Sequence, residues 1–289
     1  MGICVASFIS AADKGKKIYI SVDMEGIAGV VTGDQLGPPG FEYERFRVFM
    51  TNETLAAIEG ARLAGATEFV VSDSHGNGES LLIEKFGKDV TIVRAWPRPL
   101  AMMQGVDATF DAAIFIGYHS STVNPEGVRA HTMSSATLAD MKLNGISVTE
   151  AALNAAIAGH FNVPVVMISG DDAIVKEARA ALGDIEAATV KWAYGFHSAR
   201  TLTPEAACDL IREKAKRGVE RARDLKPWKV AEPTTLDLRF KNYRPSEVLS
   251  YLPIIERTDS HSIRFKAKDM IELSRFLEFV TNYEPGLSP

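Results

Sequence analysis

Apolar residues gather in five short runs rich in β-branched side chains, at positions 17–22, 68–72, 90–94, 112–117 and 163–169. Runs this short that stay apolar without alternating predict strands buried on both faces. Between them the pattern changes to helical spacing. Positions 43–63 carry apolar residues three and four apart and close near Gly65. Positions 150–158 are alanine-rich and stop at Gly159, and 171–182 open with acids and end at Gly183. Acids at the start and glycine just past the end are helix boundary signals. Strands alternating with helices predict an α/β fold with a mostly parallel sheet flanked by helices.

Beyond about Thr201 the texture differs. Thr203 as N-cap and Pro204 behind it open a long helix, strand-like runs follow at 234–240 and 262–267, and a last helix covers about 269–283. The chain of 289 residues exceeds the common single-domain size. It divides into an N-terminal extension (1–16), an α/β domain (17–200) and a smaller α+β domain (201–289).

Charge and cysteines narrow the classes. Lys and Arg number 32 against 37 Asp and Glu, for a net charge of −5, and no basic stripe stands out, which argues against a nucleic-acid partner. The charged stretch 212–224 alternates in sign and reads as a solvated helix face. Two cysteines, Cys4 and Cys208, give no disulfide framework and point to a reducing compartment, the cytoplasm. The opening residues lack the positive start of a signal peptide. No apolar run approaches the roughly 20 residues of a membrane span, so a membrane is not an expected partner.

The chemistry collects where the strands end. The first runs into Asp23-Met24-Glu25, the second into Asp73-Ser74-His75 before a Gly-Asn-Gly turn, and the fourth into Tyr118-His119. His131 follows in a loop, and Glu150 opens a helix behind a short strand, with Thr149 as its cap. In open α/β sheets ligands bind beyond the carboxyl ends of the strands. If the strands are parallel, these residues share one rim. A set of carboxylates and imidazoles suits Zn²⁺, and also Mn²⁺ or Co²⁺, and holds too many imidazoles for a dedicated Ca²⁺ or Mg²⁺ site. Taken singly, each has an ordinary reading: the acids as turn or cap residues, the histidines as packed side chains, Glu150 as a charge favoured by the helix dipole. Asp171 and Asp172 open a helix and read as caps. His160, His197 and His261 fall at the wrong edge of the sheet or far from any acid.

The segments SVDMEGIAG, SDSHG, GYHS, GVRAHTM and TEAALNA, in this order, resemble the M55 metallopeptidases, the D-aminopeptidases associated with dipeptide-transport operons. The resemblance extends through FKAKDM near the C-terminus and covers nearly the whole chain after residue 16. It implies two zinc ions per chain. Asp23 matches the acid that bridges them, Glu25 and His119 match the other ligands of one ion, His75 and Glu150 those of the second, and His131 matches the catalytic histidine. The loop from His119 to His131 is about one residue longer than the family pattern.

The resemblance further implies a homo-oligomer, a decameric ring, acting on short peptides whose free N-terminal residue is a D-amino acid. A carboxylate bridge suits a metal pair, and a metal-bound hydroxide formed near neutral pH attacks an amide carbonyl. His131 then protonates the leaving amine, stabilises the oxyanion or acts as a base; the residues do not choose. Two other readings stay open, a binuclear hydrolase of another amide or ester and a non-catalytic peptide-binding accessory of dipeptide uptake. A nucleotide-binding domain is disfavoured, because no glycine-rich phosphate motif follows any predicted strand.

Overall fold

The computed structural model describes residues 15–283. The expected N-terminal extension, with Cys4, lies outside them except for Gly15 and Lys16, and Lys16 opens the first strand. In chain order the first elements are β1 (Lys16–Val22), α1 (Tyr43–Leu63), β2 (Ala66–Asp73), β3 (Val90–Val93), β4 (Ala112–Tyr118), β5 (Leu138–Leu143), β6 (Ile146–Ser147), α2 (Glu150–His160), β7 (Val165–Asp171) and α3 (Asp172–Leu182). There follow β8 (Glu186–Gly195), β9 (Ser198–Thr201), α4 (Pro204–Glu220), β10 (Thr234–Phe240), α5 (Tyr243–Leu249), β11 (Ile255–Asp259), β12 (Ser262–Ala267) and α6 (Met270–Asn282).

The five unalternating apolar runs form five of the six parallel strands of a seven-stranded sheet, ordered β3-β2-β1-β4-β7-β8-β9; β8 is the sixth, and only β9 is antiparallel to its neighbour. Both faces are covered, which is why the strands carry no polar side. Ile18, Ile20 and Val22 pack with Met50 and Ile58 of α1 and Ile211 of α4, whereas Tyr19 between them packs into the opposite core. Each such aliphatic side chain is fully buried and contributes roughly 1.5–3 kcal/mol. Chain order reverses at β1, whose neighbours β2 and β4 lead to opposite halves of the sheet. That places the crevice of an open α/β sheet at the carboxyl end of β1.

A second sheet, ordered β11-β12-β10-β5-β6, is antiparallel throughout. Between the two sheets lies α2, buried all round; its alanines make it thin enough to fit there. Leu153 and Ile157 of α2 share this core with Leu236 and Leu238 of β10 and with Leu273 and Leu277 of α6. The two layers do not divide the chain at residue 200. β5 and β6, far upstream, pair with β10 in the second sheet, while α4, just downstream, packs on α1, β7 and β8 of the first. Among the described residues no helix is long and apolar enough to cross a membrane.

Candidate metal centre

Four structural positions deliver the expected side chains to one place. Asp23 and Glu25 leave β1 in a tight turn. Gly26 lies so close to β4 that its N–H donates to the Gly117 carbonyl at 2.6 Å, and a methyl group there would overlap the Tyr118 carbonyl oxygen. His75 follows β2, and His119 follows β4 directly. Glu150 arrives by another route than the one expected. It does not follow a parallel strand; it opens α2 behind the β5–β6 hairpin of the second sheet, with Thr149 capping the helix through the Ala152 N–H at 3.0 Å.

Asp23, Glu25, His75, His119 and Glu150 are all buried. Nδ1 of His75 lies 3.1 Å from Asp23 Oδ1 and 2.9 Å from Glu25 Oε2. Nε2 of His119 lies 3.2 Å from Asp23 Oδ2 and 3.4 Å from Glu150 Oε1. The two oxygens of Asp23 thus face two different groups. One holds Glu25 and His75, the other His119, Glu150 and His131, whose Nε2 is 3.8 Å from Glu150 Oε1. This grouping sets Glu25 with His75 and His119 with Glu150, not the Glu25–His119 and His75–Glu150 sets implied by the resemblance. His131 stacks on His119, ring centroids 3.9 Å apart, and its side chain keeps 14% exposure where that of His119 keeps 1%. Of this stacked pair, His131 is the imidazole that lines the cavity, as His75 does from the other group.

The outer nitrogen of every imidazole is spoken for. His75 Nε2 donates to the Leu36 carbonyl at 2.7 Å, His119 Nδ1 to that of Ser120 at 3.1 Å, and His131 Nδ1 to that of Arg129 at 2.8 Å. A carbonyl can only accept, so these contacts assign the proton to the outer nitrogen of each ring. The inner nitrogen then turns a lone pair toward carboxylate oxygens. Acceptor facing acceptor in a buried site is unfavourable unless a cation lies between them, and among the described residues Asp23 Oδ2 and His119 Nε2 have no hydrogen-bond partner. Histidines whose far N–H is held by a carbonyl are the usual metal-ligating arrangement.

The electrostatics agree. Burial raises Asp23 above the ordinary carboxylate value, and Glu25 beside it pushes the same way. Burial also opposes ionisation of Glu25, yet the three imidazoles hold it well below its usual value. Burial opposes protonation of His75 and His119, and the facing carboxylates raise both well above the ordinary imidazole value. The field that favours a proton on those inner nitrogens equally favours a metal cation.

A cavity of about 380 Å³ opens onto the group, with Trp96, Ser134, Glu278 and Asn282 among its walls. Glu278 and Asn282 belong to α6, so the second layer faces the donors of the first. The loop that carries His131 is tied down by Asp171, which does more than cap: Oδ1 accepts from Ile174 N–H at 2.9 Å and Oδ2 from Val128 N–H at 2.7 Å. Asp73 stays out of the cluster and accepts from Leu81 N–H at 2.7 Å.

Among the buried charged residues that escaped the sequence reading, two lie beside the turn after β1. Lys191 of β8 is fully buried, and Glu53 of α1 accepts from Ala28 N–H at 2.9 Å. Burial lowers Lys191 to about 8 and raises Glu53 to about 7. Glu53 had a signal, an acid at helical spacing between Met50 and Ala57 on a buried face; Lys191 had only its place within an apolar run.

A parallel-sheet α/β protein with carboxylates and imidazoles gathered at its strand ends has the architecture of a hydrolytic metalloenzyme. The chain belongs to the M55 peptidase family: the family model described as D-aminopeptidase matches residues 16–279. It is an enzyme that hydrolyses peptide bonds. It is 34% identical over 257 residues to the D-aminopeptidase of Bacillus subtilis (strain 168), covering 89% of this chain and 93% of that protein. Its fold matches the solved structure of the Zn-dependent D-aminopeptidase DppA from Bacillus subtilis, described as a self-compartmentalizing protease. The TM-score is 0.88 at 33% identity, over 92% of this chain and 96% of that one.

Proposed function

We propose that this chain is a binuclear zinc aminopeptidase that removes the N-terminal residue, a D-amino acid, from short peptides in the cytoplasm. The observation that carries the reading is the set of inner imidazole lone pairs turned on carboxylates, with Asp23 presenting one oxygen to each group. Asp23, Glu25 and His75 would hold one ion, and Asp23, His119 and Glu150 the other. Bound there, the metal pair supplies Lewis acidity and lowers the pKa of water toward neutrality.

The protein's own groups do the rest. The 380 Å³ cavity admits a short peptide and excludes a folded chain. Its acidic lining, including Glu25 and Glu278, favours a free substrate amine over a blocked one, which supports action at the N-terminus. His131, its Nδ1–H fixed on the Arg129 carbonyl, presents the Nε2 lone pair to the cavity, where it takes a proton from the attacking water and passes it to the departing amine. Chirality and zinc rest on the named relatives.

The description of DppA as self-compartmentalizing supports a homo-oligomer, for which a decameric ring is the assembly proposed. Tyr243, Val248, Tyr251 and Ile254 on and after α5 are exposed and supply an apolar face for it. Metal analysis and a panel of D- and L-dipeptides, amides and esters test the reading. Two zinc equivalents per chain, lost with turnover on chelation, are expected, with D-dipeptides hydrolysed fastest. His131→Ala keeps both ions and loses turnover. Peptide binding without chelator-sensitive turnover would overturn catalysis, and light scattering checks for a mass of ten chains.

A further inference from the structure

The interior of β8 contains a lysine where the sheet should be apolar. Lys191 is fully buried, and among the described residues no carboxylate lies within ion-pair distance of it. Its ammonium is not orphaned. Nζ donates to the carbonyls of Glu25, Ile27 (3.2 Å) and Val30 (2.7 Å), which matches its three N–H donors with three acceptors. All three carbonyls belong to the turn that follows β1. The chain curls around the ammonium as it would around a bound cation, and the residue that begins the curl is Glu25.

We propose that Lys191 is a positioning residue for the metal centre, fixing the backbone from which Glu25 reaches His75 and so setting the grip of the site on one of its two ions. The inference rests on the binuclear reading above. A buried ammonium is costly, and a purely structural filler of this strand interior would be an aliphatic side chain. The other bonds to the turn show what Lys191 adds. Gly26 N–H donates to Gly117 O (2.6 Å), Ala28 N–H to Glu53 Oε1 (2.9 Å) and Gly29 N–H to Thr201 Oγ1 (2.8 Å). These hold amide hydrogens of the turn, whereas Lys191 alone gathers carbonyls from three of its residues. With the Glu25 carbonyl held toward β8, its side chain is directed to His75, where Oε2 lies 2.9 Å from Nδ1. Removing the ammonium takes the donor from the Glu25 and Val30 carbonyls, leaves that of Ile27 with the Val30 N–H alone (3.2 Å), and frees the turn to rotate toward water.

The test replaces Lys191 with Met, similar in length and without charge. Zinc affinity is measured by competition with a chromophoric chelator, and the visible absorption of the Co²⁺-loaded protein reports ligand geometry. Lys191→Met is expected to bind one of the two ions at least tenfold more weakly, the scale of lost support behind a metal ligand, with a changed cobalt spectrum. Leu238→Ala, in the core of the second sheet, lowers stability but leaves both readouts at wild-type values. Lys191→Gln keeps a shorter donor; it is expected to fall between the two and serves if the Met variant does not fold. Wild-type affinities and cobalt spectrum in the folded Lys191 variants overturn the inference alone. Absence of tight zinc from the wild type overturns the metal reading and the inference with it.

Discussion

Replacing Asp171 with alanine removes two bonds of different kinds. One is the cap of α3, Ile174 N–H to Oδ1 at 2.9 Å; a lost cap costs about 1 kcal/mol. The other is Val128 N–H to Oδ2 at 2.7 Å; Val128 is fully buried, and a buried N–H stripped of its acceptor costs about 1–3 kcal/mol. The sum is about 2–4 kcal/mol. Asp269→Ala supplies the comparison, because Asp269 caps α6 through Glu272 N–H at 2.8 Å and ties down no distant loop. Urea unfolding of the two variants should therefore differ by about 1–3 kcal/mol, with Asp171→Ala the less stable. Val128 lies on the loop that presents His131, so Asp171→Ala should also lose about tenfold to a hundredfold in kcat, while Asp269→Ala loses none. Equal unfolding free energies in the two variants, or wild-type turnover in Asp171→Ala, would refute the claim that this carboxylate holds the His131 loop.

Other outcomes follow from the turn after β1. Gly26→Ala puts a methyl group onto the Tyr118 carbonyl, backbone against backbone with no flexible side chain to yield, and should cost more than about 3 kcal/mol in urea unfolding, together with loss of bound zinc. Glu53 supplies a pH test. Its folded value of about 7 lies above the ordinary 4.5, so its contribution to stability is full below pH 4.5 and is lost as pH rises through 7. Glu53→Gln keeps an acceptor for Ala28 N–H without that loss. Relative to wild type, it should gain up to about 3 kcal/mol between pH 4.5 and 8, and a stability difference independent of pH would contradict the assignment.

The parts of the fold legible in the sequence were those where one physical signal dominated. β1, β2 and β4 are buried on both faces, so their apolar runs needed no partner to be recognised, and Thr149 and Thr203 announce their helices as caps. β8 was missed because Lys191 interrupts its apolar run; the residue that hides the strand is the one that grips the turn. β5 was missed because Asp140 and Lys142 sit among its buried residues, although Asn144-Gly145, with φ of 48° and 84°, is a two-residue hairpin turn that marks it. The candidate donors were legible as residue types at strand ends. Their grouping was not, because Glu150 comes from the other sheet, and no spacing in the chain encodes how two layers meet.

That meeting has a consequence for how the protein is made. Every candidate donor side chain has been translated by Glu150, but α6, which walls the cavity opposite them, is the last element among the described residues. A nascent polypeptide therefore has no wall opposite the candidate cluster while residues 151–269 are being added, and the cavity is enclosed only when α6 docks.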